Sequence, residues 1–246
     1  MIGIYGDYES MSTAVAGLFA DISIRSIKER GVFCTALSGG TTPRLAYRML
    51  AREPFRNRIA WDRVHVFWGD ERCVPFDSPM SNAGMAHEIL LSRVPVIKSN
   101  IHPIICAHSP EKSASEYGTE LSNFFAGDPV FDLILLGLGE NGHTASLFPG
   151  SPALNDDGRI TAYVFASGVY RVTITARVIN LARHAAFLVS GSSKAGILKE
   201  VIEGRYEPTR LPAQLIKPVH GELHWIVDAE AASLLEMSRN VISGGS

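Results

Sequence analysis

Two uninterrupted apolar runs, DLILLGL at residues 132–138 and AAFLVSG at residues 185–191, constrain the fold of this chain most. Neither run alternates apolar with polar residues, and this is typical of strands covered on both faces in a parallel sheet. Further short runs rich in β-branched or aromatic residues alternate with amphipathic, helix-like segments. The pattern predicts strands at Val32–Leu37, Val64–Trp68, Asp132–Leu136, Arg171–Thr175, Ala185–Val189 and Trp225–Val227. It indicates an α/β fold with one main open sheet.

The length and composition fit one hydrophobic core. With 246 residues, of which 46% are hydrophobic and 20% charged, the chain lies at the upper end of single-domain lengths. We therefore expect one domain over residues 1–246. The 23 basic and 25 acidic residues leave a formal charge of -2, which gives no electrostatic reason to expect a nucleic acid or an anionic membrane as partner.

The three cysteines, Cys34, Cys73 and Cys106, are widely spaced and odd in number, without a C-x-x-C pair. This spacing argues against a disulfide framework and against a zinc site, and it fits a reduced cytosol. The first residues show no basic segment followed by an apolar stretch, and no apolar run is long enough to span a membrane. These features favour a cytoplasmic protein. The sequence does not fix the oligomeric state, and a monomer is compatible with it.

In open α/β sheets, ligands bind beyond the carboxyl ends of the strands, so the loops there are the first candidates for a site. The loop SGGTTP places Ser38, Gly39, Gly40, Thr41 and Thr42 between a strand and an amphipathic helix. Its glycines let a phosphate approach the main chain, and backbone N–H groups at a helix start favour an anion. An ordinary tight turn with a threonine N-cap is the competing interpretation.

Three more segments offer charged residues at strand ends. The loop GDERCVP puts Asp70, Glu71 and Arg72 after the run VHVFW. Arg72 could receive a developing oxyanion or a substrate hydroxyl, and either carboxylate could orient it, although a surface cluster of ion pairs explains the same residues. The loop SGSSKAG offers Lys194, and the run RVTIT offers Arg171. Together with SGGTTP, these two cations have the composition of a phosphate site.

The stretch GLGENGHTASLFPG, residues 137–150, begins with the pattern G-x-G-x-x-G after a predicted strand. That pattern is the fingerprint of a dinucleotide site, which requires a long helix starting within the glycines. Pro149 and Pro152 leave room for barely two turns, so we expect only a short helix that Thr144 and Ser146 could cap. The stretch therefore argues against a nicotinamide cofactor.

A glycine-rich turn that presents His143 to the ligand side of the sheet is the interpretation we favour for this stretch. Asn141 and Glu140 lie beside the histidine in sequence. A histidine with an ordinary pKa near neutrality can take a proton from water and return it to a leaving group. The chain has neither H-E-x-x-H nor clustered cysteine and histidine ligands, so we expect no metal.

Several segments, in this order, carry a resemblance to a known family: LSGGTTPRLAY, WGDERCVP with SNAGMAHEILL, GLGENGHTASLFPG, RVTIT, the Lys194 loop, and LPAQLIKP with HWIVDAEAA. From about Val32 to Ala232 the chain resembles the 6-phosphogluconolactonase family, within the wider group that includes glucosamine-6-phosphate deaminase. The resemblance implies a Rossmann-like open, mainly parallel sheet with helices on both faces (NagB/RpiA-like) and a small accessory set of strands. It also implies a cytosolic, cofactor-free enzyme that hydrolyses 6-phosphoglucono-1,5-lactone to 6-phosphogluconate.

The resemblance also implies roles for the residues already singled out. His143 would be the acid/base, Arg72 would contact the sugar end, and the SGGTTP loop with Arg171 and Lys194 would hold the phosphate. Family members often have an aspartate where this chain has Asn141. An asparagine can hydrogen-bond the histidine or a substrate hydroxyl, but it cannot act as a base or raise the histidine pKa by its charge.

Two alternative functions remain open from the sequence. The deaminase branch shares the turn, but its chemistry needs a carboxylate five positions after the histidine, where this chain has Phe148. A catalytically inactive sugar-phosphate sensor is suggested by Asn141. Sensors usually carry a DNA-binding module, and no extension of helix-turn-helix size precedes Val32 or follows Ala232. The sequence therefore favours the lactonase.

Overall fold

The structure, a computed structural model, describes residues 1–107, 109–155 and 157–236. Strands within these residues form two sheets. In chain order the strands are β1 (Ile2–Tyr5), β2 (Phe33–Leu37), β3 (Val64–Trp68), β4 (Asp70–Arg72), β5 (Leu133–Gly137), β6 (Thr161–Ala166), β7 (Val169–Ile174), β8 (His184–Val189) and β9 (Glu222–Asp228). The main sheet has the order β1-β9-β8-β5-β2-β3 and is parallel throughout, whereas β4-β7-β6 form a small antiparallel sheet.

The α-helices of the described residues connect these strands. They are α1 (Tyr8–Arg30), α2 (Arg44–Leu50), α3 (Phe55–Arg58), α4 (Asn82–Ala86), α5 (Pro110–Phe125), α6 (Ala176–Leu181) and α7 (Ala195–Glu203). The longest of them, α1, starts at a reciprocal cap between Asp7 and Ser10 and ends at Gly31, whose φ of 81° suits a residue without Cβ. No helix in the described part of the chain is both long and apolar enough to cross a membrane.

The predicted α/β class with a mainly parallel sheet and accessory strands is confirmed. All residues of β2 are buried, and so are the first four of β5 and the last five of β8, which agrees with strands covered on both faces. The sequence analysis missed β1, β4 and β6. The first two are only four and three residues long, and β4 consists entirely of charged residues, which seldom occur in strands.

The strand order places a crevice between β2 and β5. These two strands are neighbours in the main sheet, but the chain continues from β2 to β3 on one side and from β5 to β8 on the other. The loops that follow β2 and β5 therefore diverge, and a ligand can enter between them at the carboxyl edge of the sheet. The loops in question are SGGTTP and GLGENGH, the two glycine-rich loops of the sequence analysis.

The expectation that the cysteines form no disulfide is wrong. Cys73 and Cys106 are joined, with their Cα atoms 5.1 Å apart and 33 positions between them in sequence. Cys73 directly follows β4, and Cys106 lies a few residues after Ile101, which forms a bridge with Val66 of β3. The bond can form because the segments that carry Cys73 and Cys106 both leave the same end of β3. The spacing of the two cysteines in sequence does not show that they are close in space. Cys34 is free and buried.

Candidate active site

A cavity of about 550 Å³ opens at the carboxyl edge of the main sheet. It lies where the β2 and β5 loops face the small sheet, so both sheets contribute side chains to it. All the residues predicted for the site line this cavity except Glu71. They are Ser38, Gly39, Gly40, Thr41, Thr42, Asp70, Arg72, Asn141, His143, Arg171 and Lys194. The structure therefore brings together loops that are up to 156 positions apart in sequence, from Ser38 to Lys194.

Glycines in the β5 loop position the His143 ring. A Cβ atom added to Gly139 would come within 2.0 Å of ring atoms of His143, so the ring packs directly against a bare backbone. Gly142 has a φ of 80°, a left-handed conformation that favours glycine. The backbone then closes on itself, because the Gly139 N–H donates to the His143 carbonyl at 2.8 Å. The G-x-G-x-x-G pattern therefore forms the turn at residues 137–147 that positions His143, which we call the histidine turn.

The short helix expected after His143 does not form. Residues 144–147 make a tight turn closed by an isolated bridge between Thr144 and Leu147. The two hydroxyl residues that were expected to cap a helix have other partners: Thr144 Oγ1 donates to the Gly137 carbonyl at 2.9 Å, and Ser146 Oγ donates to the Asp70 carboxylate at 2.6 Å. The second bond ties the histidine turn to β4 of the small sheet.

Two neighbours fix the orientation of His143. Its Nδ1 lies 2.5 Å from Oδ1 of Asn141, an oxygen that can only accept, so the proton is on Nδ1 and the Nε2 lone pair is free. The imidazole also stacks on the Phe148 ring, with a centroid distance of 4.4 Å. Burial lowers the pKa of His143 to about 4, and the positive charges of Arg171, Lys194 and Arg72 contribute. The imidazole is thus neutral at physiological pH.

Two arginines face each other across the small sheet. Arg72 of β4 and Arg171 of β7 are direct cross-strand partners, an arrangement of like charges that is unfavourable without a counter-ion. Arg171 is only 8% exposed, and burial together with the charge of Arg72 lowers its pKa. Its guanidinium carbon lies 5.2 Å from the centroid of the Phe148 ring, so one aromatic side chain supports both Arg171 and His143.

Several donors in the cavity lack a partner within the described chain. Arg72 Nε, Arg171 Nε and Ser38 Oγ are buried and make no hydrogen bond there. Leaving a buried polar group unsatisfied costs about 1–3 kcal/mol, more when it is charged. Among the described residues, the Lys194 ammonium at the start of α7 has one ion pair, a long one of 3.9 Å with the exposed Glu140. The cavity lining therefore carries three cations, of which Arg72 also donates Nη1 to the Met80 carbonyl at 2.6 Å.

A family model matches most of the chain. The model of the family described as glucosamine-6-phosphate isomerases/6-phosphogluconolactonase matches residues 6–225. The chain belongs to this family. A 6-phosphogluconolactonase from Synechocystis sp. is 45% identical over 216 residues, which cover 86% of this chain and 88% of that protein. The family match alone spans every loop that lines the cavity, from Ser38 to Lys194.

Solved structures give the same result for the isomerase/lactonase family. The 6-phosphogluconolactonase from Trypanosoma brucei superposes with a TM-score of 0.84 at 30% identity and covers 96% of this chain and 98% of that chain. A monomeric glucosamine-6-phosphate deaminase superposes with a TM-score of 0.81 at 23% identity, over 95% of this chain and 99% of that chain, which shows the shared fold. Both branches of the family therefore share the architecture described above.

Glu71 lies outside the cavity lining, and its carboxylate has other partners. It accepts backbone N–H groups of Arg72, Asn82 and Ala83 at 2.7–2.8 Å, and the Ser81 hydroxyl at 3.2 Å. Burial raises its pKa, while these backbone hydrogen bonds oppose the shift. Glu71 thus anchors the start of α4 next to Arg72. It holds the segment that carries the arginine and has no free oxygen directed at a ligand.

The SGGTTP loop differs from the threonine-capped turn considered above. Helix α2 starts at Arg44 after Pro43, without a side-chain cap. The carbonyl groups of Thr41 and Thr42 instead accept the Tyr8 hydroxyl at 3.2 and 3.0 Å. The threonine hydroxyls are therefore not needed to start the helix. Both threonines line the cavity, as does Ser38.

Asn82, Ser167 and Phe148 are among the cavity residues that the sequence analysis did not assign to the site. Asn82, from the quoted segment SNAGM, donates to the Asp70 carbonyl and carboxylate at 2.9 and 3.2 Å, and it packs so closely on Gly39 that no Cβ would fit there. Ser167 lies at the tip of the β6–β7 hairpin with a φ of 53°. Phe148 was noted only as a missing carboxylate. The dipeptide Ser167-Gly168 between two strand-like runs was the available signal for the hairpin.

Proposed function

We propose that this chain hydrolyses 6-phosphoglucono-1,5-lactone to 6-phosphogluconate, the lactone-opening step of the oxidative pentose phosphate pathway. One observation carries the proposal: a neutral His143 shares a single cavity with buried, unpartnered donors of Arg72 and Arg171. A phosphorylated lactone needs both features, a base for water and cations for its phosphate. Family relatives that bear the name 6-phosphogluconolactonase support the choice of substrate.

The phosphate would bind to Arg171, Lys194 and the loop Ser38–Thr42. Arg171 offers a buried guanidinium, and Lys194 offers an ammonium held only by a long contact with Glu140. The hydroxyls of Ser38, Thr41 and Thr42 and the bare backbone at Gly40 add neutral donors. Charge-assisted hydrogen bonds to a dianion are about twice as strong as neutral ones, so this end supplies most of the binding energy.

The lactone carbonyl would lie near His143. Asn141 keeps the ring proton of His143 on Nδ1, so His143 Nε2 is free to accept a proton. It takes this proton from a water molecule while the water oxygen attacks the carbonyl carbon. The Arg72 guanidinium and backbone N–H groups would stabilise the negative charge that develops on the carbonyl oxygen. The imidazolium then returns its proton to the ring oxygen as the ester C–O bond breaks. The products are the carboxylic acid and the free hydroxyl.

The expected rate enhancements are sufficient to hydrolyse an activated ester such as a lactone. A positioned acid/base contributes roughly 10²- to 10⁴-fold, and one oxyanion donor contributes roughly 10²- to 10³-fold. The phosphate anchor adds to both by holding the carbonyl in place before reaction. His143, Arg72 and the phosphate anchor therefore account for the hydrolysis of a lactone.

Assay of purified protein with freshly made lactone tests the proposal. We expect acid release well above the spontaneous rate, and His143→Ala should lower kcat by about 10²- to 10⁴-fold with little change in substrate binding. Ammonia release from glucosamine-6-phosphate is the companion assay. Ammonia release without acid release would support the deaminase instead, and sugar-phosphate binding without either product would support a sensor.

The position of Phe148 argues against the deaminase. The ring lies in the cavity lining between His143 and Arg171, where the deaminase branch would need a carboxylate. Replacing Phe148 by an acidic residue would place a carboxylate next to the buried Arg171, where it would compete with a substrate phosphate for that cation. The apolar ring instead keeps the histidine neutral.

We further propose that the chain acts as a cytoplasmic monomer without a nucleic-acid or membrane partner. The formal charge of -2 argues against a nucleic-acid or anionic-membrane partner, and the cavity has the size of a small-molecule site. The Cys73–Cys106 disulfide argues against a reducing cytosol, where such bonds seldom persist. Alkylation of free thiols during cell lysis, followed by a thiol count, tests whether the pair is oxidised in the cell.

A further inference from the structure

Three potential metal ligands converge at the amino edge of the main sheet, away from the candidate active site. His184 is the first residue of β8, and Glu222 and His224 lie two positions apart on β9. His184 is the direct register partner of Glu222, so all three side chains project from the same face of two adjacent strands. They form the one group of three or more such ligands found among the described residues.

The distances between the donor atoms fit a single small cation. His184 Nδ1 lies 3.1 Å from His224 Nε2, and Glu222 Oε2 lies 3.8 Å from the former and 3.5 Å from the latter. Tetrahedral Zn²⁺ has bonds of about 2.0–2.2 Å, which place its ligand atoms roughly 3.3–3.5 Å apart. The triangle of donors therefore already has nearly the right size, without movement of either strand.

Both imidazoles are largely withdrawn from solvent. The side chains of His184 and His224 are 16% and 12% exposed. His184 Nδ1 and His224 Nε2 are at hydrogen-bond distance, so in the metal-free pair one nitrogen donates its N–H to the lone pair of the other. A metal ion at this point would replace that proton.

Three arginines, Arg25, Arg30 and Arg183, line the cavity beside this site, and two of them are paired with a carboxylate. Arg183 and Arg30 both pair with the buried Asp132, at 3.5 and 3.0 Å, so their charge is partly offset. Glu222, whose side chain is 64% exposed, adds a negative charge directly at the cluster. A cavity of about 270 Å³, lined by His184 and Glu222, gives an ion and one solvent ligand access.

A second pair of histidines in the chain provides an internal contrast. His65 Nδ1 lies 3.3 Å from His102 Nε2, and His102 Nδ1 lies 3.0 Å from Glu120 Oε1. His102 thus uses its two nitrogens toward opposite partners, so the three residues form a linear relay in which the donors do not converge. These three residues are two histidines and a glutamate, as in the β8–β9 cluster of His184, Glu222 and His224. Among the described residues only the β8–β9 cluster has three donor atoms around one point.

We propose that His184, Glu222 and His224 bind a Zn²⁺-type divalent transition-metal ion with three protein ligands and one position open to solvent. Two imidazoles and one carboxylate are a ligand set that tetrahedral zinc accepts. Strand β8 spans six residues, so this edge lies roughly 16 Å from the carboxyl edge and the ion takes no part in lactone chemistry. The ion would join β8 to β9 and stabilise the folded state in proportion to its affinity.

Titration of chelator-treated protein with Co²⁺, followed by competition with Zn²⁺, tests the site. We expect one equivalent of Co²⁺ with the visible absorption of a tetrahedral complex, lost on addition of Zn²⁺. His184→Gln and Glu222→Gln should each weaken Co²⁺ binding by more than the roughly 10- to 100-fold that loss of a ligand's hydrogen-bond partner costs. Glu222 is exposed, so its variant keeps the core intact.

His65→Gln is the matched control, because it alters the linear relay and should leave Co²⁺ binding and lactone hydrolysis unchanged. The proposal also predicts that Zn²⁺ raises the Tm of the unaltered chain but not that of Glu222→Gln. Three results would overturn it: no tetrahedral Co²⁺ spectrum, an unchanged affinity in both ligand variants, or displacement of the bound ion by 6-phosphogluconate, which would place the ion at His143.

Discussion

At the scale of single residues, Asn141 and Phe148 determine what His143 can do. Asn141 fixes the tautomer without adding charge, and Phe148 removes water from one face of the ring. The sequence identified His143 and Asn141 because both follow a strand in a glycine-rich turn. It did not identify the role of Phe148, since an aromatic residue in sequence does not show that it will stack between an imidazole and a guanidinium.

The pKa of His143 predicts an unusual pH profile. In the proposed mechanism the neutral imidazole is the base, so the contribution of His143 to kcat/KM should stay level above its pKa and fall as the pH drops through about 4. A bound phosphate dianion offsets the charges of Arg171 and Lys194, so the acid limb of kcat should lie at higher pH than that of kcat/KM. Stopped-flow or pH-stat rates measure both profiles.

Asn141→Asp is the control for this profile, because a carboxylate beside Nδ1 should move both acid limbs to higher pH. Acid limbs of kcat/KM and kcat that coincide near the ordinary histidine pKa would contradict the role given to the cations.

Loss of a cavity cation should affect KM more than kcat. Arg171→Ala and Lys194→Ala each remove a proposed phosphate contact, so KM should rise by at least tenfold, about 1.4 kcal/mol, while kcat falls less. Steady-state kinetics with the lactone measure both constants. Lys199→Ala is a matched control, since Lys199 lies on the same helix α7 and pairs with Glu203 and Glu236 outside the cavity. An unchanged KM in both cavity variants would remove the phosphate assignment.

At the scale of elements, the charged strand β4 brings Arg72 to Arg171. The sequence analysis treated residues 70–72 as a loop because three adjacent charges have low strand propensity. Pairing with β7 outweighs that propensity, since register places Asp70, Glu71 and Arg72 opposite Thr173, Val172 and Arg171. Asp70 accepts the Ser146 hydroxyl, Glu71 anchors the start of α4, and Arg72 is one of the cations that line the cavity. Propensity alone could not have shown this.

Two glycines of the β5 loop provide a test of the histidine turn. Gly139→Ala should displace the His143 ring, because the new Cβ would lie 2.0 Å from it, and kcat should fall by about 10²-fold or more. Gly137→Ala is the matched control, since a Cβ there meets nothing within 4 Å. Far-UV circular dichroism should show both variants folded. Equal activity of the two variants would mean that the ring position is not set by Gly139.

At the scale of the whole molecule, the sequence predicted the parallel sheet correctly and the covalent structure wrongly. Buried central strands have apolar runs that identify them, and the crevice follows from the order of those strands. The Cys73–Cys106 bond has no such local pattern, because it depends on where two surface segments meet after folding. Contacts between the two sheets were hidden for the same reason.

The disulfide predicts a measurable change in global stability. Closing a loop of 33 residues restricts the unfolded chain by about 3–4 kcal/mol. The free energy of unfolding in urea should fall by that amount when a reductant is added, and Cys73→Ser with Cys106→Ser should lose the dependence on reductant. Denatured, unreduced protein should show one reactive thiol, that of Cys34. Three reactive thiols would contradict the bond.

The two facing arginines have a consequence for what happens after the ester opens. Hydrolysis turns an uncharged carbonyl into a carboxylate, so the departing molecule carries one more negative charge than the one that entered. In the proposed mechanism, the guanidinium groups that bind the substrate would bind this acid more tightly. The proposed function therefore predicts inhibition by the product acid, seen as a lower rate when the acid is added at the start.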